Sequence, residues 1–131
     1  MLAQALIPVI AATFTGMVLG ALWYSPLLFG KAWMAAIGKT PETLGSQTLP
    51  MVGSIVASLL MASGVALLLA ALNVTSLSEA TAVGAILGFL IIFPALLSDN
   101  LFCGWGKGLL LIQAGYRVLT VVLMAVVIFL L

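Results

Sequence analysis

Gln113, Tyr116, Arg117 and Thr120 are the residues of this chain whose types and spacing could do chemistry. They stand at i, i+3, i+4 and i+7, which places them on one face of an α-helix. The surrounding run is apolar, and Arg117 is the only charged residue far inside such a run. A charge near the centre of a bilayer costs roughly 3 to more than 10 kcal/mol, so its side chain must face protein or water rather than lipid. Two readings follow. In one, Arg117 attracts an anionic or polar ligand at mid-membrane, with Tyr116, Gln113 and Thr120 shaping the site. In the other it braces the fold, by hydrogen-bonding a free backbone carbonyl or by pairing with an acid of another protein.

Other reactive groups are scarce. Histidine is absent and Cys103 is the only cysteine, which excludes within one chain a His-containing triad, a His-ligated haem and a Cys/His zinc site. Glu42, Glu79 and Asp99 are the only acids. Glu79 and Asp99 fall at opposite ends of one apolar run and cannot act as a carboxylate pair. No catalytic residue, metal or cofactor is expected, and the chain is not expected to be an enzyme. Cys103, beside Gly104 and Trp105, fits a free loop thiol in a reducing compartment.

The elements that must hold the polar stripe follow from hydropathy. The chain is 65% hydrophobic, and four runs, about 2–24, 50–72, 79–98 and 108–131, each supply the ~20 apolar residues that a membrane helix needs. They leave no room for a soluble domain, so 1–131 is expected to be one all-α membrane domain. No Lys or Arg precedes Lys31, so the first run lacks the basic flank of a secretory signal and is expected to be retained. Lys31, Lys39 and Lys107 fall in the connections 25–49 and 99–107, whereas the termini and the 73–78 turn carry no basic residue. Cytoplasmic loops are enriched in Lys and Arg, so both termini are expected outside. Trp23, Tyr24, Trp33 and Trp105 then lie at the cytoplasmic boundary as aromatic anchors. A net charge of +1 gives no footprint for nucleic acid.

Laid without a gap on residues 80–96, residues 12–28 match at eight of seventeen positions; composition alone would give roughly two. The matches include Gly16 with Gly84, Gly20 with Gly88 and Pro26 with Pro94. A parallel repeat of two helical hairpins, related by a pseudo-two-fold axis along the membrane normal, is the corresponding expectation. Each copy carries a G-x-x-x-G strip, which permits close helix packing within the bundle or self-association. Gly53, Ser54, Ala57, Ser58, Met61 and Gly64 form a further stripe of small and flexible residues in the second run. Between the first two runs, Ser25-Pro26 can stop one helix and start another, and residues 26–37 are expected to lie along the interface as a short helix closed by Gly38. In the third run Pro94 cannot donate to the Leu90 carbonyl. Leu90 and Arg117 fall at similar depth, so that carbonyl is the expected structural partner of Arg117.

The string Trp23-Tyr24-Ser25-Pro26, continued by Leu28-Phe29-Gly30-Lys31 and Trp33, and the later Leu111-Ile112-Gln113-Ala114-Gly115-Tyr116-Arg117, resemble the domain-of-unknown-function 1761 family, small multi-span membrane proteins of bacteria and fungi. The resemblance implies about four spans and no activity, cofactor or site residues. A bacterial inner membrane is the expected location. Two functions stay open: a homo-oligomeric transport or channel-type protein with Arg117 near its pathway, or an accessory subunit of a larger membrane complex. A membrane-embedded enzyme is a distant third.

Overall fold

Five helices make up the computed structural model, which describes residues 2–131, with side chains from Gln4 onward. They are α1 (Leu2–Trp23), α2 (Gly30–Ala36), α3 (Thr48–Ala71), α4 (Leu77–Cys103) and α5 (Lys107–Leu130). All but α2 are long and apolar enough to cross a membrane. At 1.5 Å per residue, the 24 residues of α5 extend about 36 Å against a hydrocarbon core of about 30 Å.

The helix ends have local causes. At the end of α3, Asn73 takes a left-handed φ of 52°. Its N–H donates to Ala70 at 3.1 Å and that of Val74 to Leu69 at 3.1 Å, a Schellman closure with Asn in the place of glycine. Helix α4 opens on a capping box. The Ser76 hydroxyl accepts from the Glu79 N–H at 3.2 Å, and the Glu79 carboxylate accepts from the Thr75 N–H at 2.8 Å.

Helix α4 departs from expectation at its far end, running past residue 98 to Cys103. Nothing before Gly104, at φ 67°, breaks it. Asp99 and Cys103 are therefore helical rather than in a loop, and only residues 104–106 connect α4 to α5. The exposed Cys103 thiol sits at the helix end. Asn100 is buried and ties this corner together, its amide donating to the Gly106 carbonyl at 3.0 Å. Pro94 is absorbed locally. Residues Leu87–Ile92 form a π-helical turn in which the Phe93 N–H donates to the Gly88 carbonyl, five residues back, the kind of adjustment that accommodates proline within a membrane helix.

Helix α2 is shorter than the expected 26–37. Residues 25–29 are turns, in which the Phe29 N–H reaches the Trp23 carbonyl at 2.9 Å and the Gly30 N–H that of Ser25 at 3.0 Å. Ser25 does not cap α2, because its hydroxyl donates backwards to Leu22 at 2.6 Å. A Cβ at Gly30 would lie 2.8 Å from the Ser25 carbonyl, so only glycine allows this fold-back. Gly38, at φ 69°, ends the helix as expected. Residues 41–44 form a turn.

Helix α5 is the axis of the bundle, packing against all the other helices. Two apolar cores flank its second half. Val121 and Ala125 meet Val65, Leu69 and Ala80, and Met124 meets Val9, Ala12 and Ala62. The four repeat glycines all face α5. A Cβ at Gly16 would meet Met124 at 2.8 Å, one at Gly20 the Tyr116 hydroxyl at 2.8 Å, one at Gly84 the Val122 backbone at 2.7 Å and one at Gly88 Val118 at 2.9 Å. As numbers rise along each strip they fall along α5, the mark of antiparallel neighbours. A two-fold exchanging the hairpins would place Gly88 on α3, as Gly20 lies on α5. Instead Gly20 reaches across to the other hairpin while Gly88 stays within its own. The first ten residues of α3, 48–57, are all exposed, and its buried positions begin at Ser58. That half of α3 stands clear of the bundle, so the sequence repeat does not appear as a symmetric set of contacts.

Candidate functional site

The first half of α5 carries the polar stripe, and its neighbours there are aromatic. Trp23 donates from Nε1 to the Ile112 carbonyl at 2.9 Å, and its ring lies where a Cβ on Gly115 would be, 2.9 Å away. Tyr24 meets the Tyr116 ring edge-on at 5.4 Å and Trp33 edge-on at 5.5 Å, while Phe29 packs on Trp23 at 4.7 Å. Centroid separations in this range suit edge-to-face attraction. Trp23, Tyr24 and Trp33 were expected as headgroup anchors; here they also join α1 and α2 to α5. Trp105 stands apart from them, half exposed, at the start of α5.

The stripe divides in two. Tyr116 is buried, and its hydroxyl donates to the Gly16 carbonyl at 2.9 Å, a cross-helix bond that explains why Gly20 must lack a side chain. Tyr116 is therefore a strut. The other three polar groups have no hydrogen-bond partner among the described residues. Gln113 lines a half-open cleft of about 370 Å³ with Ala36, Ile37, Trp105 and Leu109. Arg117, partly exposed, holds its guanidinium 5.2 Å from the Tyr116 ring centroid, a cation–π contact worth about 0.5–2 kcal/mol. It makes no contact with a carboxylate or with the Leu90 carbonyl among the described residues. Thr120 is 1% exposed, and its Oγ1 is a buried polar atom left unpaired. Four other helical hydroxyls bond back one turn: Thr13 to Val9, Thr15 to Ala11, Ser63 to Leu59 and Thr81 to Leu77. Thr120 makes no such bond.

The family model described as "Protein of unknown function (DUF1761)" matches residues 7–129. The chain belongs to that family. No curated protein and no solved structure matches it. Both segments that carried the resemblance meet in this site. Trp23 and Tyr24 of the first rest on Gly115 and Tyr116 of the second, so the family's two strings are the two sides of one contact.

Several participants escaped sequence reasoning. Gly30 and Gly115 are sites of close approach, and their position inside aromatic-rich strings was the available signal. Ser58 is buried and donates only to the Met17 sulfur, at 3.7 Å. Asn100 had no signal in periodicity. In the second-run stripe, Gly53 and Gly64 have nothing within 4 Å, so that stripe packs inside the bundle at Ser58 and Met61 and faces open space at both ends.

Proposed function

We propose that this member of the DUF1761 family is a non-enzymatic integral membrane protein that moves an anionic or polar solute, working as a homo-oligomer with Arg117 at its pathway. The supporting observation is Arg117 itself. It lies about 15 Å along α5 from Lys107, deep in an apolar helix, with no acid or carbonyl partner among the described residues. A partly exposed intramembrane cation that touches only the ring face of Tyr116 keeps its hydrogen-bond donors for a ligand. Along their glycine strips α1 and α4 close on α5 to distances that exclude even a methyl group, which leaves no room for a wide lumen between these helices. A pathway between protomers fits that packing.

The exposed first half of α3 favours the second reading, an accessory subunit. Residues 48–57 include Gly53, Ser54 and Ala57, a smooth strip open to another membrane helix, whether from a second copy or from a different protein.

Flux into proteoliposomes, tested with chloride, inorganic phosphate and short-chain carboxylates, decides between them. Arg117→Lys keeps the charge but loses the planar fork, whereas Arg117→Gln keeps hydrogen bonding but loses the charge. Transport that survives the first substitution and fails in the second supports a charge-attracting site. Absence of flux in the unmodified protein, with stoichiometric co-purification of another membrane protein that both variants lose, moves the assignment to the accessory role.

A further inference from the structure

Arg117 is placed by a ring rather than by a hydrogen bond. Its guanidinium has no hydrogen-bond partner among the described residues and lies 5.2 Å from the Tyr116 ring centroid. A cation is attracted to the face of an aromatic ring and not to its edge, so this contact depends on how the ring plane is turned. The Tyr116 hydroxyl donates to the Gly16 carbonyl at 2.9 Å, but that oxygen lies on the axis about which the ring rotates. The bond pins the end of the side chain and leaves its second torsion, which is intrinsically broad, to the neighbours of the ring. Tyr24 is such a neighbour, meeting Tyr116 at 5.4 Å and 72°. Trp33 of α2 meets Tyr24 in turn at 5.5 Å and 69°. In an edge-to-face pair neither ring can turn without losing the contact or displacing the other.

We propose that Tyr24 and Trp33 are positioning residues for Arg117, a role that rests on Arg117 serving a ligand: Trp33 holds the edge of Tyr24, Tyr24 fixes the plane of Tyr116, and that plane sets the place of the guanidinium. A second aromatic pair joins the same segments but ends elsewhere. Phe29 packs on Trp23 at 4.7 Å, and Trp23 rests on backbone, donating to the Ile112 carbonyl at 2.9 Å and covering Gly115. Of these two contacts, one terminates on the α5 backbone and the other on the ring beneath Arg117. Helix α2 also walls the Gln113 cleft through Ala36, so one movement of this short helix reaches Gln113 and Arg117 together.

Arg117 is the only arginine of the chain, so nuclear magnetic resonance of the full-length protein, labelled at arginine and tryptophan nitrogen and held in neutral-detergent micelles, follows its Nε–H as a single signal. A proton over a ring face is shielded, and in the unmodified protein the signal is expected upfield of that of free arginine. Tyr24→Leu and Trp33→Leu are each expected to remove most of that displacement. Tyr24→Phe and Trp33→Phe keep an aromatic edge and are expected to retain most of it. Phe29→Leu is expected to leave it in place, since its contact ends on backbone. Tyr24 and Trp33 are only partly buried, and the Trp23 indole signal, tied to the Ile112 carbonyl, is expected to stay put in every variant. An Arg117 signal at the free-arginine position in the unmodified protein, or unmoved in either leucine variant, overturns the proposal. So does an equal response to the phenylalanine variants, which would make the polar groups of Tyr24 and Trp33 responsible. An equal response to Phe29→Leu, or a Trp23 signal that moves with that of Arg117, overturns it too, because α2 would then be a general brace. A signal that responds as expected in a protein without flux sinks transport alone, whereas flux with an unresponsive signal sinks the positioning alone.

Discussion

Tyr116 and Arg117 are adjacent, and the fold uses them in opposite ways. The phenol spends its hydrogen bond on Gly16 and keeps its ring face for Arg117. Tyr116→Phe removes the first function and retains the second. It is expected to lower stability by about 1 kcal/mol, measured by unfolding in mixed micelles, while the ligand response of Arg117 stays within twofold of the unmodified protein. A large loss of response with intact stability would show that the hydroxyl, not the ring, serves the ligand. The spacing of residues 113, 116, 117 and 120 made the stripe legible in the sequence. Which of its members are already satisfied was not legible, because that depends on carbonyls and packing contributed by another helix. The Leu90 carbonyl illustrates the same limit. Proline removes a donor to it in any helix, but the π turn at Leu87–Ile92 reorganises the backbone locally, and Arg117 is not drawn to it.

At the scale of helices, G-x-x-x-G names a strip of small residues but not the partner it faces. Both strips close on α5, and the nature of the opposing atom decides what each glycine is worth. A methyl at Gly84 would stand 2.7 Å from the Val122 Cα, and backbone cannot rotate aside. Gly84→Ala gains about 1 kcal/mol in helix propensity but meets an overpacking cost of about 1–3 kcal/mol. A net loss of up to about 2 kcal/mol is expected, with α4 displaced from α5. Gly64 has open space around it, so Gly64→Ala is expected to be neutral or stabilising by up to about 1 kcal/mol. Thermal unfolding of the two variants in the same detergent checks the contrast. Equal destabilisation would mean that Gly64 faces a second chain, in favour of the homo-oligomer. The four apolar runs were readable because composition alone distinguishes them. Their ends moved by at most two residues except at the end of α4, which runs five residues further because nothing before Gly104 breaks it. The first half of α3 looked like any other apolar segment, since standing clear of the bundle leaves no mark on periodicity.

Across the whole molecule, charge and aromatic content are polarised along the bundle. Helix α5 runs antiparallel to α1, with Tyr116 beside Gly20 and Met124 beside Gly16. The end at which α1 begins and α5 finishes is therefore opposite the end that holds α2 and residues 104–107. Lys31, Lys39 and Lys107 share this second end with Trp33 and Trp105, leaving Arg117 as the only basic residue within the bundle. From the Lys and Arg bias of cytoplasmic segments, that end is expected to face the cytoplasm and both termini the outside. Cys103 tests the assignment because it is the one thiol of the chain and is exposed at the same end. In intact cells a membrane-impermeant maleimide is expected to leave it unmodified, and to label it after lysis. Glu79, in the cap of α4 at the opposite end, provides the control. A Glu79→Cys variant in a Cys103→Ser background is expected to label in sealed cells. If Cys103 labels in sealed cells and the residue 79 thiol does not, the chain is inverted, and the cleft beneath α2 opens to the outer leaflet instead.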